Sequence, residues 1–139
     1  MPWMEQARLL LRKARADAAA MRTLADNPEI LDSIVGFHAQ QACEKGLKAA
    51  LADRGIAYPR THSLERLLGL LTTAGITVPE SVDEALVLSP FAVEFRYDDP
   101  SDETLDRARV DALVNTVLAW CETILPQPSE TMTSEWFFR

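Results

Sequence analysis

Histidine and cysteine are scarce in this sequence, with two of each among 139 residues. The cysteines, Cys43 and Cys121, form no Cys-x-x-Cys pair, and each falls inside a helical pattern. That predicts reduced, buried thiols with no disulfide or metal role. His38 and His62 have no third histidine and no cysteine or acidic pair at ligand spacing, so no zinc site is expected. No nucleophile elbow announces a Ser-His-Asp arrangement either. Glycine is nearly as sparse, five residues in all, and none of it forms a Walker loop or a Gly-x-Gly-x-x-Gly turn, so no cofactor is expected. The sequence has no internal repeat. No apolar run approaches the roughly 18 residues of a membrane span. The run Leu9, Leu10, Leu11 is too short for the apolar core of a signal peptide. A cytoplasmic protein without membrane contact is the expectation.

Cations are in deficit as well. The chain carries 14 Lys and Arg against 21 Asp and Glu, a net charge of -7. That balance excludes broad non-specific nucleic-acid binding, which is driven by cations displacing counterions from phosphates. The deficit is uneven, because residues 1–66 hold 10 Lys and Arg against 8 Asp and Glu, whereas residues 67–139 hold 4 against 13. Any anion site should therefore draw on the first half, with Arg96 as the main contribution from the second.

What is present is helical patterning. A composition of 47% hydrophobic and 25% charged residues fits one globular domain with a sizeable core. Five helices and no strand are expected. The first spans about residues 4–25, with Leu9, Leu10, Ala16, Ala20 and Leu24 as apolar positions. Arg8, Arg12, Arg15 and Arg22 recur along it as a stripe that reads either as a solvated face or as one facing a polyanion. Asn27 and Pro28 read as the cap and first residue of a second helix over about 28–54, closed by Gly55. One face of it, Leu31, Val35, Ala39, Ala42, Gly46 and Ala49 or Ala50, is small enough for a neighbouring helix to approach closely. The opposite stripe holds His38, Gln41, Lys45 and Lys48 at i, i+3, i+7 and i+10, with Glu44 beside it.

After a loop over 55–62, Ser63 caps a third helix through Leu64, Leu67, Leu68 and Leu71, which Gly75 ends. Pro79 opens a fourth through Val82, Leu86, Val93 and Phe95, kinked or split by Pro90. Asp102 and Glu103 are expected to cap the last helix, roughly 104–125, through interaction with its dipole. Its apolar positions are Leu105, Ala108, Val110, Leu113, Val114, Val117, Leu118, Cys121 and Leu125. The bundle is thus expected over residues 1–126, followed by a polar tail over 127–139 that ends in Trp136, Phe137, Phe138 and Arg139. In the stretch FAVEFRYDD, Arg96 can point its fork at a phosphate, and Tyr97 can stack or donate a hydrogen bond.

Three segments in order, FHAQQACEKGLKA (37–49), THSLERLL (61–68) and FRYDDP (95–100), resemble the HEPN domain family, a helical family linked to nucleotide binding. The resemblance covers roughly residues 4–125 and implies an up-and-down, all-α bundle of four to five helices, usually a homodimer. Its polar groove lies between the second helix and the segment bearing Arg-Tyr. Members of the family act as nucleotide- or RNA-binding modules, as partners of minimal nucleotidyltransferases in two-gene toxin-antitoxin systems, or as metal-independent ribonucleases. The ribonucleases use an Arg-x(4 to 6)-His motif, with His in proton transfer and Arg on the phosphate. This chain has no histidine after Arg96, and the family's Arg-Tyr-Pro is altered to Arg96-Tyr97-Asp98-Asp99-Pro100, whose two added carboxylates would repel a phosphate near Arg96.

Several functions therefore stand side by side. In the first, Lys45, Lys48 and Arg96 converge on phosphate while His38 and Gln41 hydrogen-bond a base or ribose. In the second, a ribonuclease uses Arg96 with Tyr97 or His38. In the third, Gln41, Glu44, Lys45 and Arg96 form a buried polar network in a purely structural domain.

Overall fold

The computed structural model describes residues 2–92 and 104–126, and among these every regular element is helical. In chain order they are α1 (Pro2–Ala25), α2 (Asp32–Asp53), α3 (Leu64–Thr73), α4 (Glu80–Asp83), a 3-10 helix (Glu84–Phe91) and α5 (Arg107–Ile124). The expected all-α bundle is what the chain forms. Arg96, Tyr97, Val93, Phe95, Asp102, Glu103 and the tail over 127–139 lie outside the described residues. No helix among the described residues is long and apolar enough to cross a membrane.

α2 is the axis of the bundle, and α1, α3, α5 and the 3-10 helix all pack against it. α1 and α2 meet along the longest shared line. The residues α1 buries fully are Ala7, Ala14, Ala18 and Met21, whereas of the positions expected Leu10, Ala20 and Leu24 are only partly buried and Ala16 is exposed. Leu9 is exposed. Closely approaching helices leave room for alanine at the line of contact and push larger side chains to its flanks.

The seam expected on α2 forms from Val35 onward, with Ala39, Ala42, Gly46, Ala49 and Ala50 all buried. Leu31, by contrast, is 63% exposed. It lies outside the helix as its N-cap. Asn27 and Pro28 do not start α2. The Asn27 side chain accepts from the Glu29 amide at 2.9 Å, and its carbonyl accepts from Ile30 at 3.1 Å, so the pair makes a local turn. Two glycines let neighbours sit directly on the α2 backbone. A Cβ at Gly36 would stand 2.4 Å from Cδ1 of Phe91, and one at Gly46 would stand 2.7 Å from Cδ2 of Leu118.

α3 follows its expectation closely. The Ser63 hydroxyl accepts from the Arg66 amide at 3.1 Å, and Gly75 adopts φ 88° just past the C-terminus. Past Pro79 the chain departs from it. After one α turn it winds as a 3-10 helix, and the buried residues are Val82, Ala85, Leu88 and Phe91, a strict repeat of three. Three residues per turn is the 3-10 period, so this spacing keeps one face inward where a 3.6-residue helix would rotate it away. Leu86 therefore faces outward. α5 begins at Arg107, later than expected, capped by Asp106, whose carboxylate accepts from the Arg109 amide at 3.1 Å. Ala108 is accordingly exposed.

Arg107 ties these elements together. Its Nε donates to Asp32 at 2.9 Å, Nη1 donates to the carbonyls of Ala25 (3.0 Å) and Asn27 (3.1 Å), and Nη2 reaches the Ile30 carbonyl and Asp32. One side chain thus satisfies the end of α1, the connecting turn and the start of α2, where helix geometry leaves backbone groups without partners. Two members of the arginine stripe on α1 also turn to α5: Arg15 pairs with Glu122, and Arg22 meets Asn115 and Asp111. Cys43 and Cys121 are both free and buried. Burial pushes the Cys43 thiol up to about 12, and burial together with the neighbouring Cys43 raises that of Cys121 as well.

Candidate functional site on α2

Between residues 38 and 50, only His38, Gln41, Lys45 and Lys48 retain partial exposure, and everything else on that stretch is buried. The spacing that suggested a polar stripe therefore becomes a narrow polar line on a helix otherwise enclosed by its neighbours. Two carboxylates beneath it hold the line in place.

The first is Asp17 on α1. Its Oδ1 lies 3.1 Å from His38 Nδ1, and its Oδ2 takes the Lys45 ammonium. The second is Glu44, whose side chain is only 4% exposed. Its Oε1 accepts from Gln40 at 3.2 Å and Gln41 at 3.4 Å, and lies 2.9 Å from His62 Nδ1. Its Oε2 accepts from Lys48 at 3.0 Å. A buried carboxylate is tolerated only where such partners replace its lost water. The fully buried Gln40 completes the set. Its Nε2 also donates to the His62 carbonyl at 2.9 Å, and its Oε1 accepts from Gln41 at 2.8 Å, so the whole amide is satisfied.

His62 arrives from the loop before α3. Thr61 Oγ1 accepts from the Ser63 amide at 3.0 Å, and Ser63 then caps the helix. This Thr-x-Ser turn, with the Gln40 bond to the His62 carbonyl, fixes the loop so that the imidazole meets Glu44 while remaining 65% exposed. Both histidines of the chain are thus held at Nδ1 by a carboxylate that also holds a lysine. In each, that bond leaves Nε2 as the second ring nitrogen for other contacts. Lys45 and Lys48 each spend one of three donors on these carboxylates among the described residues. The Lys48 ammonium also stands 5.8 Å from the centroid of the Tyr58 ring. No group of three or more metal-ligating side chains occurs among the described residues.

Of the residues singled out from the sequence, His38 and Lys45 are brought together on Asp17, and Gln41 and Lys48 on Glu44. Arg96 and Tyr97, outside the described residues, are not placed beside them. Glu44, expected from the sequence as part of a buried polar network, is buried at the centre of the site, whereas Asp17, Gln40 and His62 join it without being candidates from the sequence. The available signal for Gln40 was an amide four residues before Glu44 on a stretch of α2 made mostly of small residues, where a polar group has to be answered by a partner.

An all-α bundle with a carboxylate-centred polar line on its central helix defines the class of protein. The sequence profile of the HEPN domain matches residues 7–124, and the chain belongs to that family. No curated protein and no solved structure matches it.

Proposed function

We propose that this HEPN-family chain is a nucleotide- or RNA-binding module that works as a homodimer and as the partner of a nucleotidyltransferase-type protein in a toxin-antitoxin pair. The ligand rests on one observation: the polar line of His38, Gln41, Lys45 and Lys48 is pre-organised by carboxylates beneath it and carries more donors than those carboxylates take up. A phosphate would bridge the two ammonium groups, and His38 and Gln41 would meet a ribose or base. The dimer and the partner rest on the family. Thermal denaturation with nucleoside triphosphates and with short RNA tests the ligand, since one present at 100 times its Kd adds about 2.7 kcal/mol. A melt that no nucleotide or RNA shifts would sink it.

The two histidines favour a second reading, a metal-independent ribonuclease. A carboxylate on Nδ1 fixes the ring and leaves Nε2 as the nitrogen that can exchange a proton, as general acid-base catalysis requires. His62 Nε2 would serve in place of the histidine absent after Arg96. Total RNA incubated in chelator with wild type, Arg96→Ala and His62→Ala decides this. Cleavage lost in His62→Ala supports the enzyme, and intact RNA in all three removes it.

A further inference from the structure

Where the start of α1 meets the end of α2, a cleft of about 340 Å³ is lined by Trp3, Gln6, Ala52, Gly55, Ile56 and Tyr58. That volume is at the lower end of small-molecule sites, which run from roughly 300 to 1,000 Å³. Trp3 is 43% exposed there, although burying such a ring is worth more than burying almost any other side chain. Tyr58 is set in place by its neighbours: its hydroxyl accepts from Gln6 at 3.2 Å, and Lys48 stands 5.8 Å from its ring centroid. Gly55, at φ 68°, leaves open space on its Cβ side.

Lys48 of the polar line thus adjoins one of the rings that line this cleft. The same end of the bundle carries further cations. Arg8 and Arg54 both lie near enough to Asp53 to act on its carboxyl. Lys48 gives one of its three donors to Glu44 among the described residues and keeps the others for an anion. An exposed indole beside a tyrosine, an amide and an ammonium matches a planar ring bearing a phosphate.

We infer that this cleft is the base subsite of a nucleoside phosphate, with the ring stacked on Trp3 and the phosphate reaching Lys48. The inference rests on the nucleotide-binding reading above and adds to it where the base goes. The nucleoside phosphate can be free or one unit of a single strand. Equilibrium dialysis of the full chain against AMP, ribose 5-phosphate and a short oligoadenylate distinguishes these, using wild type, Trp3→Ala, Trp3→Phe and Lys45→Ala, each checked for an unchanged melt.

The expected result is that Trp3→Ala weakens AMP about tenfold, that Trp3→Phe restores most of it, and that ribose 5-phosphate is indifferent to both changes. The same pattern with the oligonucleotide alone assigns the subsite to a strand. If Lys45→Ala weakens AMP or the oligonucleotide while Trp3→Ala leaves both unchanged, the subsite is overturned and the nucleotide-binding reading stands. If neither binds wild type, both are overturned.

Discussion

Two polar junctions hold this bundle together, and they differ in how completely their donors are used. Arg107 donates four hydrogen bonds, to Asp32 and to the carbonyls of Ala25, Asn27 and Ile30, and its Nη2 also forms an ion pair with Asp32. The guanidinium is committed to the fold and acts as a clamp. At the α2 line it is the acid Glu44 that is saturated, with four partners on its two oxygens, while Lys45 and Lys48 are only partly engaged among the described residues. A cation committed to the fold signals architecture, whereas a cation seated on a saturated acid is held ready for an additional anion.

The comparison can be broken most forcefully at its acidic centre. Glu44→Ala leaves Lys48 and Gln40 without their partner, and is expected to destabilise the fold by about 3–5 kcal/mol in urea denaturation. Loss below about 1 kcal/mol would mean that Glu44 is not structural. Arg107→Ala should cost about 2–3 kcal/mol by freeing carbonyls it satisfies, and should leave nucleotide binding untouched in the dialysis assay. Arg107→Lys should recover little, because an ammonium cannot reproduce the fork.

Next in size is Gly36→Ala. Its new methyl meets the Phe91 ring, at an expected cost of about 1–3 kcal/mol in the same denaturation assay. Lys45→Ala is the sharpest test of the contrast. It should cost no more than about 1 kcal/mol of stability, yet abolish the ligand-induced rise in melting temperature.

The thiols give a pH signature. The folded state keeps protonated a Cys43 thiol that ordinarily titrates near 9.0, by raising it to about 12. Its contribution to stability is therefore complete below pH 9 and declines as pH climbs toward 12, by up to about 1.4 kcal/mol per unit for one group. Urea midpoints measured from pH 8 to 11 check this. At pH 8 a thiol reagent should label neither cysteine until the chain unfolds.

Much of the bundle was legible because its signals are local. The Ser63 cap, the Gly75 stop, the alanine seam and the stripe at 38, 41, 45 and 48 all follow from spacing within one helix. The errors arise where two local rules compete. Asn27-Pro28 satisfies both a cap and a turn, and the Arg107 clamp, from the far end of the sequence, holds the turn in place. After Pro79, a period of three was read as a period of 3.6, so Leu86 was placed inside instead of Ala85 and Leu88. At the site, the stripe and Glu44 were visible, but the other foundations were not. Asp17 is fixed by how α1 lies on α2, and His62 by a loop returning to α2, and neither relation is written into the spacing of one helix.

The notch at Gly36 acts on the chain as a phase lock. Each residue turns about 20° further in a 3-10 helix than in an α-helix, so between Glu84 and Phe91 the two windings end about 140° apart. Phe91 enters the notch only in the tighter winding. Rewinding the segment as an α-helix would swing that ring to the opposite side of the axis. The winding of the segment that ends at Phe91 is thus set by a missing Cβ on a different helix.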